Sequence, residues 1–593
     1  MKSSPLLMLP IVVLGGLALG CSPAEPERPA GLDAARERGA PAEREWRHYL
    51  GDAASSQSSP LDQIDRDNVA KLEVAWTYTS GSIPDHGRSQ IQWNPLVVKG
   101  VLYGTSPALD VFALDASTGE PIWRFDAPVD VALWTSTRGG LYWASEDGQD
   151  ERLIVGLGPW VYALDARTGR PIAGFGEGGR VDLREGLDWD PGADAMGVVA
   201  STPGVIFEDL LIWGGRVGEN PGAAPGHIRA FDVRTGALRW TFHTIPRPGE
   251  PGHETWPDDA WQRVGGANAW AGFAVDAERA LVFAPTGSAT YDFHGGDRLG
   301  DNLYANSLIA LDARTGERRW HYQVVRHDVW DRDLPAPPNL VELEREGRTI
   351  PAVAQVTKTG HTFVFHRETG EPLFPIKEVA VHGEPVRGDV LAETQPLPLR
   401  PPPFVRPQFG PEWITDRSRE ARAYVEARLA GMRFGHAFDA PSVEGTVLWP
   451  GTDGGAEWGG AAWDAETGLL IVNANQVPSI LEMIEAPRDL SFFGSPSGGY
   501  VMICASCHGL DLRGDGGRVP ALLGVSERMG PLETYRVIRD GRGHMPGFAG
   551  VAPWYGLAAL TWFVRSADVD DVPSSWTSRP GAVSYTHLRA HET

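Results

Sequence analysis

For most of its length the chain alternates short apolar runs with clusters of Gly, Pro, Asn and Asp. Runs such as "VLYGTSPALDVFAL" and "RLIVGLGPWVYAL" have the length and the β-branched and aromatic content of strands. Each leads into a repeat, A-x-D-x-x-T-G-x-x-x-W. It is clean in "ALDASTGEPIW" ending at Trp123, "AFDVRTGALRW" ending at Trp240 and "ALDARTGERRW" ending at Trp320. Weaker copies are "ALDARTGRPIA" (163–173), "VFHRETGEPLF" (364–374) and "AWDAETGLLIV" (462–472). Asp-x-x-Thr-Gly is turn chemistry: a side-chain oxygen caps the turn and Gly takes positive φ. Irregularly spaced copies of one such unit predict an all-β propeller with loops of unequal length, its tryptophans docked between neighbouring blades. The pattern fades near residue 480. From Tyr500 to about Arg565 apolar residues fall at helical spacing, as in "GPLETYRVIRDGR" and "PWYGLAALTWFVRS". That predicts a small all-α domain.

The N-terminus adds a location. Lys2, the apolar run "LLMLPIVVLGGLALG" and Cys21 together predict a signal peptide, too short for a confident spanning helix. Cys21 is a candidate for lipid attachment after cleavage. Ala18 and Gly20 would equally serve a plain secretory peptidase, and that alternative stays open. The stretch that follows, to residue 41, reads as a disordered tether. A net charge of −24 repels a phosphate backbone, which argues against nucleic acid as a partner and suits a soluble protein of an extracytoplasmic space. Of the 3 cysteines none is left to staple the β region, which must be stable through packing.

The other two cysteines lie in "CASCHG" (504–509). C-x-x-C-H spacing marks a covalent c-type haem held by Cys504 and Cys507, with His508 as an iron ligand. Met545 in "GHMPGF" is the candidate second iron ligand. Such a haem passes electrons on, and the composition of the β region shows no redox group that would supply them.

Repeats plus a C-terminal haem motif resemble the pyrroloquinoline quinone (PQQ)-dependent dehydrogenases, in particular the quinoprotein glucose dehydrogenase-like branch. The likeness runs through "SPLDQIDRDNVAKLEVAWTYTSG" (59–81), "FHTIPRPGEPGHETW" (242–256) and "GGDRLGDNLYANSLIALDARTGERRWHYQ" (295–323). It continues in "HDVWDRDLPAPP" (327–338), "IPAVAQVTKTG" (350–360) and "GTDGGAEWGGAAWDAETGLL" (451–470). The resemblance implies a bound quinone as the electron source, and a set of site residues. Asp331 matches the family's catalytic base, a carboxylate that takes the hydroxyl proton while hydride leaves the same carbon. Asp333 stands where some members carry an extra metal-binding carboxylate. Glu219 and Asn220 in "GRVGENP" match ligands of Ca²⁺ or a related ion that polarises the quinone carbonyl. Trp270 in "NAWAGF" matches the tryptophan stacked under the quinone ring. Lys358 in "QVTKTG" matches the cation on the quinone oxygens, and Arg138 in "STRGGLYW" pairs with a cofactor carboxylate. Three positions depart from the family: Ser288 and Glu457 replace Asn, and Trp134 occupies the place of a disulfide or a His.

The expected architecture is therefore an eight-bladed β-propeller with a small all-α cytochrome c domain. Its segments are a signal peptide (1–21), a tether (22–41), the PQQ-binding propeller (42–493), the cytochrome domain (494–567) and a linker (568–583). Residues 584–593 fit neither texture and read as adapter-derived. A propeller needs closure, and so little chain follows Arg565 that the ring is expected to be truncated. The expected function is oxidation of a sugar or alcohol hydroxyl by PQQ, with electrons passing to haem c and then to an external cytochrome or membrane quinone. The expected location is the periplasm, with or without a lipid anchor. Two alternatives remain: an alcohol-specific rather than sugar-type enzyme, and a non-catalytic propeller scaffold fused to an electron carrier. The scaffold predicts no clustering of Asp331, Glu219, Trp270 and Lys358.

Overall fold

The computed structural model describes residues 45–81, 90–128, 136–189, 197–219 and 222–483. Of the C-terminal segment it describes 500, 504, 508, 512–514, 519–542, 545–546, 548 and 554–566. The signal peptide, Cys21, the tether, Trp134, Asn220, Cys507 and the residues after 566 lie outside the described residues.

Four antiparallel sheets follow one another in chain order, each a plain four-stranded meander. The first comprises Leu96–Val98, Val101–Thr105, Val111–Asp115 and Pro121–Phe125, and the second Gly140–Ala144, Glu151–Leu157, Trp160–Asp165 and Arg180–Asp182. The third comprises Val205–Phe207, Leu210–Trp213, Ile228–Asp232 and Leu238–Phe242. The fourth comprises Ala274–Asp276, Leu281–Pro285, Ser307–Asp312 and Arg318–Gln323. A three-stranded sheet follows (Asn339–Arg345, Arg348–Val356, Thr362–His366), and then two-stranded pairs.

Successive sheets pack face to face, and this explains the apolar runs. Along Leu281–Pro285, Leu281 and Phe283 join a core shared with Val353 and Phe363 of the next sheet. Val282 and Ala284 join a core shared with Ile212 and Ala230 of the preceding one. Side chains alternate between the two faces of a strand, and here both faces are covered. A central strand such as Val111–Asp115 is therefore buried at every position and shows no polar alternation. This is a propeller-type stack, as the repeats predict.

The repeat itself is the joint between sheets. Trp123 Nε1 donates to Ala166 O (3.1 Å), Trp240 Nε1 to Ala313 O (3.2 Å) and Trp320 Nε1 to Arg367 O (2.9 Å). Each acceptor follows the first residue of the next repeat's turn. The indoles lie over that turn's glycine: a Cβ on Gly169, Gly316 or Gly370 would come within 2.4, 2.6 or 2.6 Å of them. The copy ending in Ala173 has no tryptophan, and the next glycine, Gly236, meets Val181 instead. Gly468, in the last copy, has nothing within 4 Å.

This gives a differential prediction. Both Gly316 and Gly468 are left-handed, with φ of +75° and +70°. Gly468→Ala should cost only the backbone term, roughly 1–2 kcal/mol. Gly316→Ala should cost about 1–3 kcal/mol more, because the new methyl group must displace Trp240. Equal losses in denaturant unfolding of the two variants would refute the tryptophan joint.

The two helices expected near the C-terminus are present, Pro531–Asp540 and Trp554–Ser566. A helix at Arg419–Leu429 was not foreseen. Ser418 caps it, accepting from Ala421 N (3.1 Å), and Arg422 pairs with Glu426 at 2.9 Å. Among the described residues no helix is long and apolar enough to cross a membrane.

Candidate functional site

The segment 327–333, "HDVWDRD", is pinned along its length. His327 Nδ1 lies 2.8 Å from Gly300 O and Nε2 lies 2.7 Å from Asp389 Oδ1. Burial would raise the Asp389 carboxyl, but the bonds from His327 and from Gly295 N hold it down to about 2. Asp328 is 2% exposed and accepts from Trp330 N (2.9 Å), Arg332 N (2.6 Å), Asn306 Nδ2 (2.7 Å) and Ser288 Oγ. Arg332 Nη1 in turn donates to Pro450 O (2.7 Å) and Gly451 O (3.1 Å). Between Trp330 and Arg332, Asp331 is left-handed, with φ of +57°. A non-glycine residue takes that conformation only where its surroundings enforce it, and such positions concentrate at working sites.

Asp331 Oδ1 accepts from Lys358 Nζ at 2.8 Å, and Asp333 Oδ2 lies 3.8 Å from the same ammonium. Lys358 projects from a turn that Gly360, with φ of +79°, closes back onto Thr357 O. Asp333 Oδ2 also accepts from Trp270 Nε1 at 2.8 Å, and Oδ1 accepts from Ser288 N at 2.5 Å. The Arg138 guanidinium packs on two indoles, its Cζ 5.3 Å from the Trp270 ring and 5.0 Å from the Trp458 ring. Arg138 Nη1 donates to Thr202 Oγ1 at 2.7 Å. Arg138 Nε and Ser201 Oγ are buried with no hydrogen-bond partner among the described residues.

Asp331, Asp333, Lys358, Trp270 and Arg138, picked out by resemblance, thus form one continuous set of contacts. Glu219 stands further off. Its side chain is 67% exposed and lies 3.8 Å from Arg216. Among the described residues no three His, Cys, Asp or Glu side chains converge closely enough to hold a metal ion. Three neighbours were not singled out in the sequence: Asp292, Asp328 and Trp458. Asp292 and Asp328 lie in no repeat. Trp458 could have been found, because it follows the divergent Glu457.

The site is crowded with charges of both signs. Burial pushes the Asp331 carboxyl well above the usual range; Lys358 opposes this, but Asp333 and Glu219 add to it. Burial likewise raises buried Asp292, reinforced by Asp331, Glu219 and Asp333. It raises Glu457 too, against Lys358 and Arg138. Burial would pull Lys358 down, yet Asp331, Asp333 and Glu457 outweigh it and hold the ammonium charged. Arg138 is pulled by burial to about 10, still charged at neutral pH. Other cations meet the same carboxylates: Arg332 acts on Asp331, Arg298 on Asp292, and Arg216 lies 3.8 Å from Glu219.

In the haem-motif segment, Cys504 and His508 are buried. Cys504 N bonds Tyr500 O and His508 N bonds Cys504 O, one helical turn apart each time. His508 Nδ1 lies 2.9 Å from Pro520 O, a carbonyl that can only accept, so the proton sits on Nδ1. Met545 is half-buried in the short pair Gly541–Arg542 and Met545–Pro546.

Residues 46–492 match a family model described as PQQ glucose/ethanol/alcohol dehydrogenase, β-propeller domain. Residues 495–561 match one described as cytochrome c oxidase, cbb3-type, subunit III. The chain is 31% identical over 478 residues to quinate/shikimate dehydrogenase (quinone) of Acinetobacter baylyi, covering 75% of this chain and 58% of that protein. It is 30% identical over 484 residues to quinoprotein glucose dehydrogenase A of Acinetobacter calcoaceticus, covering 75% and 59%. The chain thus spans about three fifths of the length of these curated relatives. A solved quinohemoprotein alcohol dehydrogenase from Pseudomonas putida superposes with a TM-score of 0.55 at 25% identity, over 78% of this chain and 62% of that one. A europium-containing methanol dehydrogenase shares the fold, with a TM-score of 0.56 at 22% identity over 77% and 72%.

Proposed function

The chain belongs to the PQQ glucose/ethanol/alcohol dehydrogenase β-propeller family, and on that premise we propose that it oxidises a sugar or alcohol hydroxyl and delivers the electrons to its own haem c. The observation that carries this reading is the contact chain Lys358–Asp331 and Lys358–Asp333–Trp270, with Arg138 Nε unpartnered beside it. A scaffold has no need of that clustering.

The residues present fit the quinone. An indole face at Trp270, an ammonium at Lys358 and open donors at Arg138 Nε and Ser201 Oγ suit a planar, acidic quinone. For a cation, Ca²⁺ or a related ion, we assign Glu219, Asn220 and Asp331, hard oxygen donors of the kind such an ion takes. Cys504, Cys507, His508 and Met545 are assigned to haem c. When bound, PQQ supplies the two-electron acceptor, the cation polarises its carbonyl, and haem c supplies a one-electron outlet.

The rest is the chain's own work. Lys358 holds Asp331 Oδ1, which leaves Oδ2 to take the substrate's hydroxyl proton. The bonds of Asp328 on both sides of Asp331 keep that carboxylate from swinging away. Further parts of the proposal are closure of the stacked sheets into eight blades, a propeller over 42–493, a cytochrome domain over 494–567, and export to the periplasm with Cys21 as a lipid anchor. The downstream acceptor is a cytochrome or a membrane quinone.

The test is reconstitution with PQQ and Ca²⁺, a panel of alcohols, polyols and sugars, and haem absorbance as the readout. Binding of PQQ without haem reduction by any substrate would return the scaffold reading. A companion variant separates the two centres. Cys504→Ser with Cys507→Ser is expected to abolish covalent haem while substrate still bleaches bound PQQ. Loss of that bleaching would refute a two-centre scheme.

A further inference from the structure

We propose that Asp333 is a positioning residue for the cofactor and not a ligand of the cation: it fixes the Trp270 indole and the Lys358 ammonium in one arrangement. This rests on the PQQ-site reading above.

The geometry commits both Asp333 oxygens to positive donors. Its Oδ1 takes the Ser288 backbone N–H at 2.5 Å, and Gly287 packs so tightly that a Cβ there would lie 2.7 Å from that oxygen. Its Oδ2 faces the Trp270 N–H at 2.8 Å and the Lys358 ammonium at 3.8 Å, both of them positive ends. A hard cation needs an oxygen lone pair open at about 2.3–2.6 Å, and here it would have to share an oxygen with one of these positive donors or displace it. Asp331 differs, because only its Oδ1 is engaged.

The same contacts define what Asp333 does instead. An indole can turn about its side-chain torsions, and a hydrogen bond at its edge removes that freedom. Trp270 is held at the edge by a carboxylate and on the face by Arg138, so the plane offered to a ring-shaped ligand is set in advance. Charge-assisted bonds are the strong ones, which is why a carboxylate suits this task. Lys358, drawn toward both Asp331 and Asp333, is kept in register with that plane. Ser288 belongs to the same unit: its N–H grips Asp333 while its hydroxyl grips Asp328, so one residue ties the plane of the indole to the loop that carries Asp331.

The experiment uses the full chain and measures two affinities: PQQ at saturating Ca²⁺ by fluorescence quenching, and Ca²⁺ and La³⁺ by calorimetry without PQQ. The variants are Asp333→Asn, Asp333→Ala, Trp270→Phe, and Asp333→Asn combined with Trp270→Phe. Asp333→Asn and Asp333→Ala are each expected to weaken PQQ about 10-fold or more, the loss of one charge-assisted hydrogen bond. Both should change the circular dichroism of bound PQQ, while Ca²⁺ and La³⁺ affinities stay within about 3-fold of wild type. In the Trp270→Phe background, where no indole N–H remains, the effect of Asp333→Asn on PQQ should shrink to about 3-fold or less. Trp270→Phe leaves both carboxylates in place, so it reports even where an Asp333 variant folds poorly. A 10-fold or greater loss of Ca²⁺ or La³⁺ affinity in Asp333→Asn, with PQQ affinity unchanged, would overturn the inference. So would an Asp333→Asn effect of equal size in both backgrounds. Failure of the wild-type chain to bind PQQ would overturn the site reading and this inference together; unaltered PQQ affinity in the Asp333 variants would overturn this inference alone.

Discussion

Asp331→Asn is expected to keep PQQ bound and to lower substrate turnover by about 10²-fold or more. The substitution preserves shape and leaves an amide oxygen for the Lys358 bond at Oδ1, so the turn and its left-handed φ should survive. What disappears is a proton acceptor. The structure adds a pH dependence to that expectation. Burial raises the Asp331 carboxyl, Lys358 opposes this and Asp333 and Glu219 add to it, so the base form is gained at a higher pH than for an ordinary carboxylate. Turnover should rise as pH climbs through that raised value. A bound divalent ion favours the carboxylate, so adding Ca²⁺ should move the acid limb of the profile to lower pH. Substrate-driven haem reduction followed across pH, with PQQ binding measured separately, checks both statements. Turnover near wild type in Asp331→Asn would remove the residue from the base role.

The sequence shows the joints of the fold better than its count of blades. Trp123, Trp240 and Trp320 stand out because one side chain must satisfy the next sheet's carbonyl and cover its glycine, a constraint that admits few residues. The copy ending in Ala173 is fainter for the same reason: without the indole its successor, Gly236, packs on Val181. Central strands such as Val111–Asp115 declare themselves only as apolar runs, because both faces are buried and no alternation survives. The helix Arg419–Leu429 escaped notice because only Leu429 is buried and its apolar stripe is thin; the cap at Ser418 was its readable signal. In the site, resemblance located the residues that touch, but not those that hold them. Asp328 works through backbone N–H groups and through Asn306 and Ser288, none of which a motif reveals. Asp292 is drawn in by folding alone, its carboxyl raised by burial and by charges remote in sequence.

Lys358→Met should cost the cation-free chain about 3–5 kcal/mol of stability at neutral pH and above, as when one partner of a buried ion pair is removed. The lysine side chain is 6% exposed and Asp331 19%, so solvent does little to replace the lost charge. Methionine keeps most of the apolar stem packed against Gly454, so a cavity is not the cause of the loss. The sign of the pH dependence follows from the direction of the Asp331 shift. Its carboxyl is already raised in the folded chain, and removing the ammonium that opposes this raises it further. A group raised on folding gives stability that is fully present below the unfolded carboxylate range and is lost as pH climbs through the folded value. The penalty should therefore be small at acidic pH, where Asp331 is protonated and neutral, and grow as pH rises. PQQ binding should fall sharply with it, since the cation on the quinone oxygens is gone. Denaturant melts of wild type and Lys358→Met at acidic and at neutral pH give the comparison. A gap between the two proteins that does not widen with pH would mean that Lys358 is not the charge compensating these carboxylates.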